Sequence, residues 1–141
     1  MVRHAMSPVS YFLLAIAALL AGCATSRPAC APGEQAAISE WLYFGMAKPA
    51  GGVVTPEEWD DFLRTVVTPR FPEGLTVLQA TGQYRTHAGV IQHEPSWVLQ
   101  LIHADGAQSE AAIREIRTAY RKQFEQESVL RVRTKGCVSF E

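Results

Sequence analysis

The side chains best suited to chemistry gather in one stretch, Tyr84, Arg85, Thr86 and His87, with His93, Glu94 and Ser96 close behind. A histidine there could act as a general base or a metal ligand, Arg85 could hold an anion, and Glu94 could orient an imidazole. The spacing limits these roles. His87 and His93 do not stand one helical turn apart, and no acidic or cysteine ligands complete a recognisable metal set. No metal and no cofactor is therefore expected. Gly-x-Ser-x-Gly, a phosphate-cradling glycine loop and a dinucleotide fingerprint are all missing, so no catalytic residue is assigned. His103 reads as a structural histidine. Trp41, Tyr43, Trp59 and Trp97 are most economically core or interface residues.

The N-terminus is the most specific signal in the chain. After Arg3 and His4 comes a charge-free stretch whose strictly apolar part, Phe12 to Ala21, falls short of the roughly 20 residues a bilayer span requires. A basic start, an apolar middle and small residues before the break make a secretory signal over residues 1–22. Leu20, Ala21, Gly22 and Cys23 resemble the lipobox of bacterial lipoproteins, which implies lipid modification at Cys23, cleavage before it, and a palmitate-type anchor on the periplasmic face of a membrane, most simply the outer one. Residues 23–37 then form a Pro-containing lipidated tether, and residues 38–141 a single domain.

With Cys23 assigned to lipid, Cys30 and Cys137 are left as an even pair in an oxidising compartment, and a disulfide between them is expected. The charge balance, 13 basic against 14 acidic residues, offers no footprint for nucleic acid.

The elements that position these groups follow from pattern. Ile38 to Gly45 is dense in large apolar residues and reads as a strand buried on both faces. Thr55, Pro56 and Glu58 form a capping box ahead of a helix whose stripe is Trp59, Phe62, Leu63, Val66 and Val67, ending near Val67 before Pro69. Leu75 to Tyr84 and Ser96 to Ala104 read as a hairpin of strands joined by a polar connection, Arg85 to Pro95. A second helix spans Ala107 to Glu125, with Ile113, Ile116, Tyr120 and Phe124 inward and the Glu110–Arg114 and Arg121–Glu125 pairs outward. In Ser128 to Thr134, Leu130 and Val132 alternate with Arg131 and Arg133, a fourth strand whose apolar side is expected to be buried.

The order is that of the split βαβ: an α+β, ferredoxin-like βαββαβ fold, with a four-stranded antiparallel sheet and two helices on one face. The first and third strands are expected at the centre, running parallel, with the fourth antiparallel beside the first. Cys137 then lies near Cys30. Two helices cover only one face, so Trp41 and Tyr43 are assigned to the open face, with Arg131 and Arg133 nearby.

The strings Leu42-Tyr43-Phe44-Gly45, Val67-Thr68-Pro69-Arg70-Phe71-Pro72, Gly74-Leu75-Thr76-Val77, Ser128-Val129-Leu130-Arg131-Val132 and Cys137-Val138-Ser139-Phe140 together resemble the bacterial domain-of-unknown-function family 3574, small exported or lipoprotein chains. The resemblance implies no activity, ligand or catalytic residue. The function expected from the residues is binding at the cell envelope, to a second copy or an envelope partner, through the open sheet face. The alternative is a small enzyme or ligand-binding domain with Tyr84, Arg85, His87, His93 and Glu94 at the rim of that face. The two separate on whether at least two of these five side chains reach one closed concave pocket or instead splay into solvent on the hairpin.

Overall fold

The computed structural model describes residues 30–140. The expected signal over 1–22, the lipidation site Cys23 and the tether as far as residue 29 lie outside the described residues. The elements run β1 (Gln35–Gly45), α1 (Pro56–Phe62), β2 (Thr76–Arg85), β3 (Ile91–His103), α2 (Ala107–Gln123) and β4 (Leu130–Val138). They form one 4-stranded sheet in the order β2-β3-β1-β4, as the ferredoxin-like reading requires.

The central pair runs the other way from expectation. β1 and β3 are antiparallel, with Leu42 opposite Leu99 and Phe44 opposite Trp97. The physical reason is the parity of the connections: α1 returns the chain so that β2 runs with β1, and the hairpin after β2 then reverses β3. β2 pairs antiparallel with β3, and β4 with β1.

Local chemistry sets the first helix as the sequence indicates. The Thr55 hydroxyl accepts the Glu58 N–H at 3.2 Å, the Glu58 carboxylate accepts the Thr55 N–H at 2.9 Å, and Pro56 opens the helix. Lys48 Nζ donates to the same carboxylate at 2.7 Å, and these contacts hold the Glu58 carboxyl below its ordinary value. α1 then widens into one π-helical turn, Leu63–Val67, closed by Thr68 N–H donating to Leu63 O at 2.8 Å.

The core lies between the helices and one face of the sheet. Leu42, Phe44, Leu99 and Leu101 from the strands meet Trp59, Phe62 and Val67 from the first helical segment and Ile113, Ile116 and Tyr120 from α2. Phe44 is the hub, with ring centroids 4.6 Å from Tyr120, 5.2 Å from Trp59 and 6.1 Å from Phe62. Trp97 stacks on Trp59 at 5.5 Å, which places it in this layer too.

β4 corrects the sequence reading. Arg131 stands opposite Leu42 and Arg133 opposite Glu40, so both arginines lie on the helix-covered side, while Leu130 and Val132 lie on the open one, 60% and 43% exposed. A buried carboxylate explains the inversion. Glu40 is fully buried among the inward residues of β1, and Arg131 binds it through Nε at 2.8 Å and through Nη2, then reaches Glu110 on α2 at 2.8 Å. Glu110 is thereby taken by Arg131, where an outward pair with Arg114 was expected. At the chain ends, Cys30 and Cys137 form the expected disulfide, their Cα atoms 5.6 Å apart.

Candidate functional site

The open face is built in rows that cross the strands. One row runs Leu78, Val98, Tyr43, Leu130 across all four strands, and beside it Thr76, Gln100, Trp41 and Val132 form a second. Tyr43 is 37% exposed and Trp41 is half-buried, which places both on the open side as the alternation indicates. On the other flank of the first row the residues turn small: Ala80, Ser96 and Gly45, followed by Gly82 opposite Glu94. Large apolar side chains thus give way to a step down in height.

Glu94 fills that step. Its residue is only 8% exposed, its Oε2 accepts the Ala47 N–H at 2.9 Å, and its carboxylate lies over Gly45 so closely that a Cβ there would stand 2.4 Å from Oε1. Only glycine leaves room for it. At Gly82 the situation is reversed, since a Cβ would meet nothing nearer than Ser96 Oγ at 3.8 Å. The volume given up by Gly82 is open space.

The result is a cavity of about 210 Å³ lined by Tyr43, Gly45, Gly82, Tyr84, Glu94 and Ser96 from the sheet and by Gln126, Ser128 and Leu130 from the chain entering β4. Its floor is fixed from below. Tyr120 OH donates to Gly45 O at 2.8 Å, Gln126 Nε2 to Ala47 O at 2.6 Å, and Met46 N–H to Pro95 O at 3.0 Å. Burial raises the Tyr120 phenol far above its ordinary range, so it stays a donor. Partial burial, then the charges of Glu94 and Glu127, raise the Tyr84 phenol in the same direction. The cavity wall therefore carries a neutral phenol and a carboxylate side by side.

Of the five rim residues, Tyr84 and Glu94 reach the cavity, His93 lines only the open hollow beside it, and Arg85 and His87 line neither. The reason is that β3 begins at Ile91, well before the expected Ser96, so the polar connection shortens to a tight turn and strand alternation sorts the rest. Arg85 and His93 fall on the face opposite Tyr84 and Glu94, both exposed. His87 sits at the turn, 85% exposed, with its ring 3.5 Å from Glu127. Arg131 and Arg133, expected beside this face, belong to the buried network around Glu40. Gly82 read from sequence only as a bend in the second strand, and Gly45, Gln126 and Ser128 were not singled out, although a glycine ending a strand of large apolar residues was a readable signal.

A larger hollow of about 640 Å³ lies at the far end of the helix layer, between Phe71, His103 and the start of α2. Arg70 on its wall is already paired with Glu115 at 3.0 Å. His103 donates Nδ1–H to Ala104 O at 2.8 Å and turns Nε2 toward Glu40 at 3.8 Å, which fits the structural role expected of it. Cys30, Glu34 and Cys137 also converge within 4.8 Å, but both sulfurs are committed to the disulfide. The smaller cavity is the better candidate because it alone of these three joins a buried carboxylate to unfilled space.

A sequence-family model for proteins of unknown function, DUF3574, matches residues 39–140, nearly the whole described domain. The chain belongs to the DUF3574 family. No curated protein matches this DUF3574 chain. Two solved structures do. A phage SAM lyase in complex with S-methyl-5'-thioadenosine superimposes with a TM-score of 0.59 at 15% identity, covering 82% of this chain and 96% of the other. A phage SAM lyase in its apo state gives a TM-score of 0.53 at 18% identity, covering 82% and 98%. At these identities the likeness concerns the fold, which the DUF3574 domain shares over almost the full length of those proteins.

Proposed function

We propose that this DUF3574 protein binds a small organic ligand in the Tyr84–Glu94 cavity, with the ligand's remaining surface lying along the apolar row Leu78, Val98, Tyr43 and Leu130. The observation that carries the reading is the meeting of Tyr84 and Glu94 in one concave pocket beside the apolar row of the open sheet face. The fold likeness to a protein crystallised with S-methyl-5'-thioadenosine supplies the first compound to try. A thioether nucleoside has the right division of character, a flat ring to lie on exposed tyrosine and leucine and a small sulfur-bearing end for the cavity.

Calorimetric titration of the purified full chain with S-methyl-5'-thioadenosine is expected to give saturable binding. Gly82→Val fills the open space without strain, because the position has no nearby obstacle and a strand favours a β-branched residue. That variant is expected to weaken binding at least about tenfold while leaving the melting temperature unchanged. Equal binding by Gly82→Val places the ligand elsewhere and overturns the site.

The same reading has the protein held at the cell envelope through lipid on Cys23, supported by the Leu20–Cys23 string. The intact mass of the membrane-extracted protein is expected to match a chain starting at a diacylated Cys23. An uncut N-terminus or an unmodified Cys23 contradicts it.

A further inference from the structure

We infer that the head group taken by this cavity carries a fixed positive charge, a sulfonium or similarly alkylated onium held against Glu94 between Tyr43 and Tyr84; this rests on the pocket reading above. The starting point is a contrast between carboxylates. Glu40, Glu58, Asp105 and Glu110 each face a cationic side chain within 2.8 Å or less. Glu94, 8% exposed, has no lysine, arginine or histidine partner among the described residues. Its one hydrogen bond comes from the Ala47 N–H to Oε2, and among the described residues Oε1 takes none. Oε1 opens onto the cavity, so a cation entering it would meet a carboxylate for which no side chain of the described residues competes.

The walls narrow what that cation is. A single carboxylate, with no second acidic, histidine or cysteine ligand lining the cavity, is a poor cage for a metal ion. Tyr43 and Tyr84 both line the space, and aromatic faces attract organic cations through their quadrupole, most strongly once water is displaced. Raising of the Tyr84 phenol keeps that ring neutral beside the carboxylate. The volume, about 210 Å³, suits a head group and leaves the rest of the ligand on the sheet. An alkylated onium has no N–H groups to satisfy, so a pocket offering one carboxylate oxygen and two aromatic side chains suits it.

The test compares a matched pair on the full chain, S-adenosylmethionine with its sulfonium and S-adenosylhomocysteine with a neutral thioether. Wild type is expected to bind the sulfonium at least about tenfold more tightly. Glu94→Gln retains an oxygen for the Ala47 N–H and should preserve the fold, checked by an unchanged melting curve. In that variant the ratio is expected to fall to near one, with the affinity for S-adenosylhomocysteine kept. Equal affinities in wild type overturn the charge inference while the pocket reading stands. A preference that survives Glu94→Gln removes Glu94 from the role. Failure of both compounds and of S-methyl-5'-thioadenosine to bind overturns the pocket reading and this inference together.

Discussion

Replacing Cys30 and Cys137 together by alanine is expected to lower the free energy of unfolding by roughly 4 to 5 kcal/mol, read from urea transitions of the full chain. The bridge spans 107 residues, so in the chain-entropy account it removes a large share of the freedom of the unfolded chain. The native state loses little else. Ala36 and Cys137 are register partners in the β1–β4 ladder, and the backbone pairing that flanks them from Gln35 to Tyr43 does not depend on the sulfur atoms. Because the effect lies in the unfolded ensemble, the denaturant slope should rise when the bridge is removed, as a more expanded chain exposes more surface. A loss below about 1 kcal/mol with an unchanged slope would mean that the unfolded chain is already compact around these cysteines.

The second large effect is expected at Arg131. Arg131→Met should cost about 3 to 5 kcal/mol, because it strands the fully buried Glu40 carboxylate without its bidentate partner. Arg133 Nε stands 3.5 Å away and His103 Nε2 3.8 Å, and neither has the geometry to replace a fork of two hydrogen bonds. The double variant Glu40→Leu with Arg131→Met removes both charges and should recover most of the loss. If the single variant costs less than about 1 kcal/mol, Arg133 and His103 are sufficient counter-charges. The network also sets the acid side of the stability curve. A hydrogen bond from Arg131 holds the Glu110 carboxyl below its ordinary 4.5, and one from Lys135 holds Asp105 below 3.8. Carboxyls lowered in the folded state contribute stability above their unfolded values and lose it as pH falls through the folded ones. The acid limb of the wild-type curve should therefore flatten in Arg131→Met.

These two predictions come from opposite ends of what the sequence made legible. The disulfide followed from counting: one cysteine in a lipobox leaves two, and the topology of alternating strands and helices brings the two together. The capping box at Thr55 and the stripe from Trp59 to Val67 were equally local and came out as read, because caps and helical periodicity depend on neighbours in sequence. Arg131 was not local. Period-two patterning turned Leu130 and Val132 inward by the general preference of apolar groups, and the decision was reversed by one buried carboxylate ninety-odd positions earlier in the chain, visible only once β1 and β4 are paired. The sign was there in Glu40, which shares the parity of Leu42 and Phe44.

The site divides along the same line. Tyr84 and Glu94 were picked out by residue type, and their convergence follows from both lying on one face of the hairpin. His93 and Arg85 were picked out by the same criterion and are separated by the pleat, because β3 starts earlier than its polar residues suggest. What makes a cavity of the place is the absence of side chains at Gly45 and Gly82, and absence registers in sequence only as a possible bend.

The bridge between Cys30 and Cys137 also changes how the protein would yield to a protease. The exposed hairpin tip around His87, Ala88 and Gly89 is the kind of place where a chain is nicked. Residues 30–137 form a covalent ring, so a single cut at that tip opens the ring without releasing a fragment. Two cuts within the ring, or reduction together with one, are needed before any piece of the domain can leave.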